Sequence, residues 1–237
     1  SKWELEQHGE GSLAAMQRGF LRMLQDLQND RPLDDKWLEG IQRTGSQDSF
    51  RGFDLRLSYK PSLHEDDSVR EVANMMRENA RVPSGYRNEP TNLNLKRDSQ
   101  TTEAGRKEFL ELARNDPWFA GIEERSDAFE ITLAPKTAQE CRERARDILA
   151  RHGEDIALAQ TDEDKLKVVA RTTQALYRSH VFMDGNTRTS VFTAMNGLLL
   201  KAGLSPCMLA EPKAAGGFSL DEFVDEIRKG QEFFKTL

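Results

Sequence analysis

His180-Val181-Phe182-Met183-Asp184-Gly185-Asn186-Thr187-Arg188 is the stretch that decides how this chain is read. It gathers an imidazole, a carboxylate, a short polar turn and a guanidinium into one connection. Before it, Lys165 to Tyr177 reads as a helix with Leu166, Val169, Thr173 and Leu176 on its apolar side. After it a second helix is expected, burying Val191, Phe192, Met195, Leu198 and Leu199, and ending at Gly203 with Pro206 just beyond. The stretch therefore joins the end of one core helix to the start of the next.

A helix start is where anions bind, because its first N–H groups lack partners and the macrodipole is positive there. Asn186 suits the N-cap position, which would leave the N–H groups of Thr187, Arg188 and Thr189 pointing out of the helix end. Gly185 lets the backbone approach a bound group and permits positive φ. Arg188 is the oddity, since a cation in the first turn opposes the dipole by roughly 0.3–1 kcal/mol. A bound phosphate would compensate it, and a guanidinium fork suits phosphate oxygens. Asp184 beside a phosphate chain is a hard oxygen donor of the kind that holds Mg²⁺. An imidazole titrates at about 6.5 when unperturbed, so His180 can accept a proton at neutral pH.

The stretch resembles the signature loop of the Fic/Doc family, H-x-F-x-D/E-G-N-G/K-R-x-x-R, with matches at His180, Phe182, Asp184, Gly185, Asn186 and Arg188 in order and without a gap. The resemblance covers roughly residues 125 to 205. It implies a mainly α fold: a Fic-like helical bundle with a small β-hairpin flap and an N-terminal helical extension. It implies an accessory region over residues 1–80 and a catalytic domain over 81–237. The implied activity is transfer of a nucleoside monophosphate, AMP first and UMP next, from a nucleoside triphosphate to a Ser, Thr or Tyr hydroxyl of a target protein. In that scheme His180 is the general base and Asp184 the Mg²⁺ ligand. Gly185, Asn186, Thr187 and Arg188 bind the nucleotide phosphates, and Phe182 anchors the loop.

Two positions depart from the family pattern. Thr187 stands where the family has Gly or Lys, and Val191 where it has its final Arg. The Doc branch lacks that Arg as well and transfers a phosphoryl group. A Doc-like protein kinase, or a Fic-fold binding protein without turnover, are the alternatives these two residues raise.

Composition bounds the rest. A chain of 237 residues can bury a full core. Its net charge of −6 argues against a general nucleic-acid binder, which needs a basic face. Two cysteines, Cys141 and Cys207, make neither a disulfide framework nor a Cys-based zinc site. Cys141 falls on the apolar side of a helix and reads as core. No stretch approaches a membrane span and no secretory signal is read, so no membrane partner is expected. The family resemblance implies action in the bacterial cytoplasm or, after secretion, in a host cell's cytoplasm, where the target would be a host protein.

Elsewhere, helices are expected over Ser12 to Gln28, Trp37 to Ile41, Ser68 to Arg77 and Lys107 to Arg114. Strict alternation marks strands at Phe53–Tyr59 and Phe129–Leu133. Residues 82 to 100 read as loop. Thr137-x-x-Glu140 and Ser219-x-x-Glu222 are capping boxes, opening helices that run to about Arg151 and Phe234. By family resemblance, Phe129–Leu133 would pair with Gly85-Tyr86-Arg87 as the flap that holds the target by strand addition. His152, at a helix end, reads as a dipole partner. His8 and His64 lie in polar surroundings and carry no role.

Overall fold

The computed structural model describes residues 12–46, 86–87, 93–97, 101–124, 129–134 and 136–236. Within them the chain is mainly helical. Two N-terminal helices, α1 (Ser12–Gln28) and α2 (Asp35–Ser46), precede strand β1 (Leu93–Arg97) and helix α3 (Glu103–Asn115). Strands β2 (Phe119–Glu124) and β3 (Phe129–Leu133) follow, then helices α4 (Ala138–Leu158) and α5 (Asp162–Ser179). A π-helical segment, Thr187–Ala194, runs into α6 (Met195–Lys201); α7 (Ala214–Gly217) and α8 (Leu220–Lys235) close the order. The expected strand at 53–59, the expected helix at 68–77 and Gly85 lie outside the described residues. Among the described residues no helix is long and apolar enough to cross a membrane.

Helix starts follow local chemistry. Both expected capping boxes form, with the side chains of Thr137 and Ser219 accepting from the backbone of Glu140 and Glu222 and each Glu reaching back. A third box at Thr161 opens α5, with Asp164 in the place of Glu. Helix α6 ends in a Schellman motif: Leu204 N–H bonds Leu199 O, Gly203 N–H bonds Leu200 O, and Gly203 takes φ +77°.

One apolar core joins these elements. Met23, Trp37, Leu38 and Ile41 from α1 and α2 pack in the same buried cluster as Leu166, Val169 and Leu176 of α5 and Met195, Leu198 and Leu199 of α6. Cys141 is fully buried in it, as its helical phase predicts.

The sheet corrects the hairpin reading. It has three antiparallel strands in the order β1-β3-β2, with Ile131 opposite both Leu95 and Ile122. Phe129–Leu133 is the central strand, and Tyr86–Arg87 is no part of the sheet. The β2 strand escaped the alternation test because its register shifts between Phe119 and Gly121, which breaks the two-residue period. Part of the span read as loop is thus strand β1.

His152 is likewise not at a helix end. α4 continues past Gly153 to Leu158, and His152 is buried on it with Nδ1 3.1 Å from Thr172 Oγ1 on α5. Burial lowers its pKa to about 4, against a smaller opposing pull from Asp155. The folded protein therefore holds His152 neutral between about pH 4 and 6.5, where the unfolded chain protonates it. This contribution to stability is complete above pH 6.5 and falls as pH drops towards 4, by about 3 kcal/mol in all. His152→Gln should flatten that window relative to the wild type. Urea midpoints at pH 7 and pH 4.5 check it, and parallel pH losses in the two proteins would refute it.

Candidate active site

The loop of interest leaves α5 through His180, which caps the helix in the left-handed region at φ 47° and ψ 50°. A non-glycine residue rarely adopts that geometry, and strain of this kind collects at functional sites. It is held from both sides. The indole N–H of Trp118 donates to Ser179 O at 2.8 Å, and Arg144 Nε donates to Ser179 Oγ at 3.1 Å. On the other side, the Arg87 N–H donates to Val181 O at 2.8 Å.

Phe182 is fully buried, and its ring stacks on Tyr86 with centroids 4.9 Å apart. Tyr86 in turn donates its hydroxyl to Asp35 O at 2.7 Å, so α2 braces the loop's anchor. Tyr86 and Phe182 also form an isolated antiparallel bridge. Tyr86 and Arg87, expected to pair with Phe129–Leu133, are thus bonded to the loop instead.

Asn186 is not an N-cap. It already has helical angles and makes no cap hydrogen bond. Its side-chain amide instead spans the turn, accepting from Phe182 N–H at 3.0 Å and donating to Phe182 O at 2.8 Å. Both edges of the amide are used, which is why the loop, rather than the helix end, claims this residue. Thr189 N–H donates to Gly185 O at 2.8 Å and so is not an outward-facing donor either. Gly185 sits at φ 74°, as a tight turn into a helix requires.

The helix then opens as a π-helix rather than an α-helix. Thr193 Oγ1 donates to Arg188 O at 2.9 Å and Met195 N–H to Ser190 O, both spanning five residues. Thr187 is half-buried and Val191 is fully buried in the core. The position where the family pattern has its final Arg therefore faces apolar side chains here.

Asp184 and Arg188 meet. Arg188 Nη2 donates to Asp184 Oδ2 at 2.8 Å, so the anion that compensates Arg188 is supplied by the loop itself. Arg188 is buried, whereas the Asp184 side chain is 46% exposed. The carboxylate end of the pair reaches solvent, so an arriving anion could take its place on the buried guanidinium, which would stay paired. The other terminal nitrogen, Arg188 Nη1, is buried without a hydrogen-bond partner. Among the described residues no cluster of three or more His, Cys, Asp or Glu side chains could hold a metal unaided.

The sequence signalled neither Gln42 nor Trp118 as part of this site, and placed Tyr86 and Arg87 in the flap. Gln42 is fully buried on α2, and its Nε2 donates to Asp184 O at 3.1 Å across 142 positions of sequence. No motif spacing could have signalled it. Gln42→Ala should cost about 0.5–1.5 kcal/mol of stability and lower the Mg²⁺ response of ligand binding by loosening Asp184. Metal titration curves that coincide for the two proteins would dismiss that second effect.

No protein-family model matches the chain. Over 78 residues, 33% of this chain, it is 31% identical to phosphocholine transferase AnkX of Legionella pneumophila subsp. pneumophila strain Philadelphia 1. The match spans 8% of that protein's length. The similarity is thus to part of a transferase.

Proposed function

We propose that the chain is a Fic-type transferase that moves a phosphate-linked group from a nucleotide donor onto a Ser, Thr or Tyr hydroxyl of a target protein. The observation that carries this reading is Arg188: a buried guanidinium with a vacant donor, paired to a half-exposed carboxylate, eight residues after a strained His180. A buried donor without an acceptor costs about 1–3 kcal/mol, and a phosphate oxygen would satisfy it. The matched loop and the partial similarity to a transferase support the same class.

In this reading His180 takes the proton from the target hydroxyl as its oxygen attacks the donor phosphorus, and the bond to the leaving phosphate breaks. Arg188, with the backbone at Gly185, Asn186 and Thr187, holds the phosphate oxygens and steadies the charge that moves onto them. Asp184 would hold Mg²⁺ together with those oxygens, since one carboxylate beside a phosphate chain is a usual magnesium set. When bound, the metal neutralises phosphate charge. Donor binding and release of the Asp184–Arg188 pair are then one event.

ATP is the first donor proposed and UTP the next, giving AMP or UMP transfer. The similarity to a phosphocholine transferase favours a second reading, transfer of phosphocholine through the same residues. A Doc-like kinase, which would transfer the terminal phosphate instead, is the alternative that Thr187 and Val191 raise. Because β3 is paired on both sides, a target strand added to this sheet would use an edge, β1 or β2, not Phe129–Leu133. The proposed setting is the bacterial cytoplasm or the cytoplasm of a host cell.

The test is incubation of the full chain with cell lysate, Mg²⁺ and each donor, followed by intact-mass measurement of modified proteins. The added mass names the transferred group. Absence of any His180-dependent adduct with every donor would end the proposal. Arg188→Ala should weaken donor binding by about 1.5–3 kcal/mol, roughly 10–150-fold; calorimetric titration reads it directly, and unchanged affinity would remove Arg188 from the phosphate site.

A further inference from the structure

Arg87 is a buried cation that the transfer chemistry above does not use. It is 4% exposed, and its Nε, Nη1 and Nη2 all lack hydrogen-bond partners. Arginine does not deprotonate in proteins, so the charge stays and burial makes it costly unless it is paired. The groups around it do not pair it. Its guanidinium lies 5.8 Å from the centre of the Trp118 ring, a weak counter-charge already shared with Lys136 at 5.3 Å and Arg144 at 5.4 Å. The Cys141 thiol approaches hydrogen-bonding distance of Arg87, but burial outweighs that pull and raises its pKa, so it stays a neutral thiol, a weak acceptor that brings no counter-charge. Asp116 is taken by Arg144 at 2.5 Å. Glu140 is committed to its capping box and to Lys136.

Three cations thus converge on one indole; Arg144 and Lys136 have carboxylate partners in Asp116 and Glu140, and Arg87 has none. We propose that Arg87, seated beside the Trp118 ring, is a second oxyanion-binding group, distinct from Arg188, for a phosphate or carboxylate group of a ligand. Arg87 and Trp118 bind the backbone on the two sides of His180, at Val181 O and Ser179 O. An anion there borders the segment that carries the base. The ligand class is therefore a molecule, or a pair of bound molecules, presenting a second oxyanion besides the phosphate at Arg188.

The test needs no turnover, so it stands or falls apart from the transferase reading. The full chain carrying R188A, which removes the other guanidinium, is followed by thermal unfolding against inorganic phosphate, acetate and chloride at matched ionic strength. The expected result is a saturable rise in Tm with phosphate or acetate beyond that with chloride, and the ion that gives it identifies the group. Adding R87M, which keeps the stem and removes the charge, should raise the concentration needed at least tenfold. In anion-poor buffer R87M should be at least as stable as its parent. R87K, retaining charge without the fork, should keep a weakened response. No rise beyond chloride, equal responses with and without Arg87, or an R87M protein that is destabilised or unfolded would each overturn the proposal, the last because the charge would then be compensated within the fold.

Discussion

His180→Ala is expected to lower turnover by about 10²–10⁴-fold, the usual contribution of a positioned general base, while donor affinity changes little. In the proposed reaction the imidazole acts on the incoming hydroxyl, whereas the donor phosphates would sit against Arg188 and the start of the π-helix. Removing the base therefore removes an interaction made in the transition state and leaves ground-state donor binding intact. His180 also holds a left-handed backbone conformation, φ 47°, that alanine adopts less readily. His180→Asn separates the two effects, because asparagine tolerates that region and cannot take the proton. Single-turnover rates and donor titrations of both variants decide the matter. If the Asn variant regains turnover, the imidazole shapes the loop and is not the base. If both lose donor affinity as much as rate, His180 belongs to the donor site.

Phe182→Ala should destabilise the fold by about 3–5 kcal/mol, the range for truncating a fully buried Phe. The ring is 0% exposed, stacks on Tyr86, and sits on the residue whose backbone N–H and C=O are both bonded by the Asn186 amide. A cavity there also frees the turn that presents Asp184 and Arg188, so donor affinity should fall with stability. Phe182→Leu, which keeps most of the volume, should recover much of both. Urea unfolding with a parallel donor titration measures it. A Phe182→Ala protein with wild-type midpoint and affinity would show that Asn186 and Gln42 alone fix the loop.

The N-terminal helices take a direct part in this arrangement. α2 supplies Gln42 to the Asp184 carbonyl and the Asp35 carbonyl to Tyr86, and Asp35 itself is held by Arg146 at 3.1 Å. The loop is therefore tensioned between α5, α4 and α2, which places its polar residues on a rigid frame.

What the sequence determined by itself was local in origin. Helical spacing placed α1, α5 and the run through Met195 to Leu199, and capping boxes set the starts of α4 and α8. Gly203 marked the stop of α6, the phase of Cys141 marked it as core, and the spacing from His180 to Arg188 picked out the candidate site. Each of these rests on interactions between residues a few positions apart, which spacing alone can reveal. Only tertiary structure turned Asn186 from a helix cap into a turn clamp, gave Arg188 an internal partner in Asp184, and left Arg87 buried without one. It also put His152 against Thr172 and made Phe129–Leu133 a central strand. A side-chain amide, a carboxylate or a guanidinium has several possible partners of nearly equal local strength. Which it takes is fixed by what the packed core brings within about 3 Å, and for Gln42 and Asp184 that meeting spans 142 residues of chain.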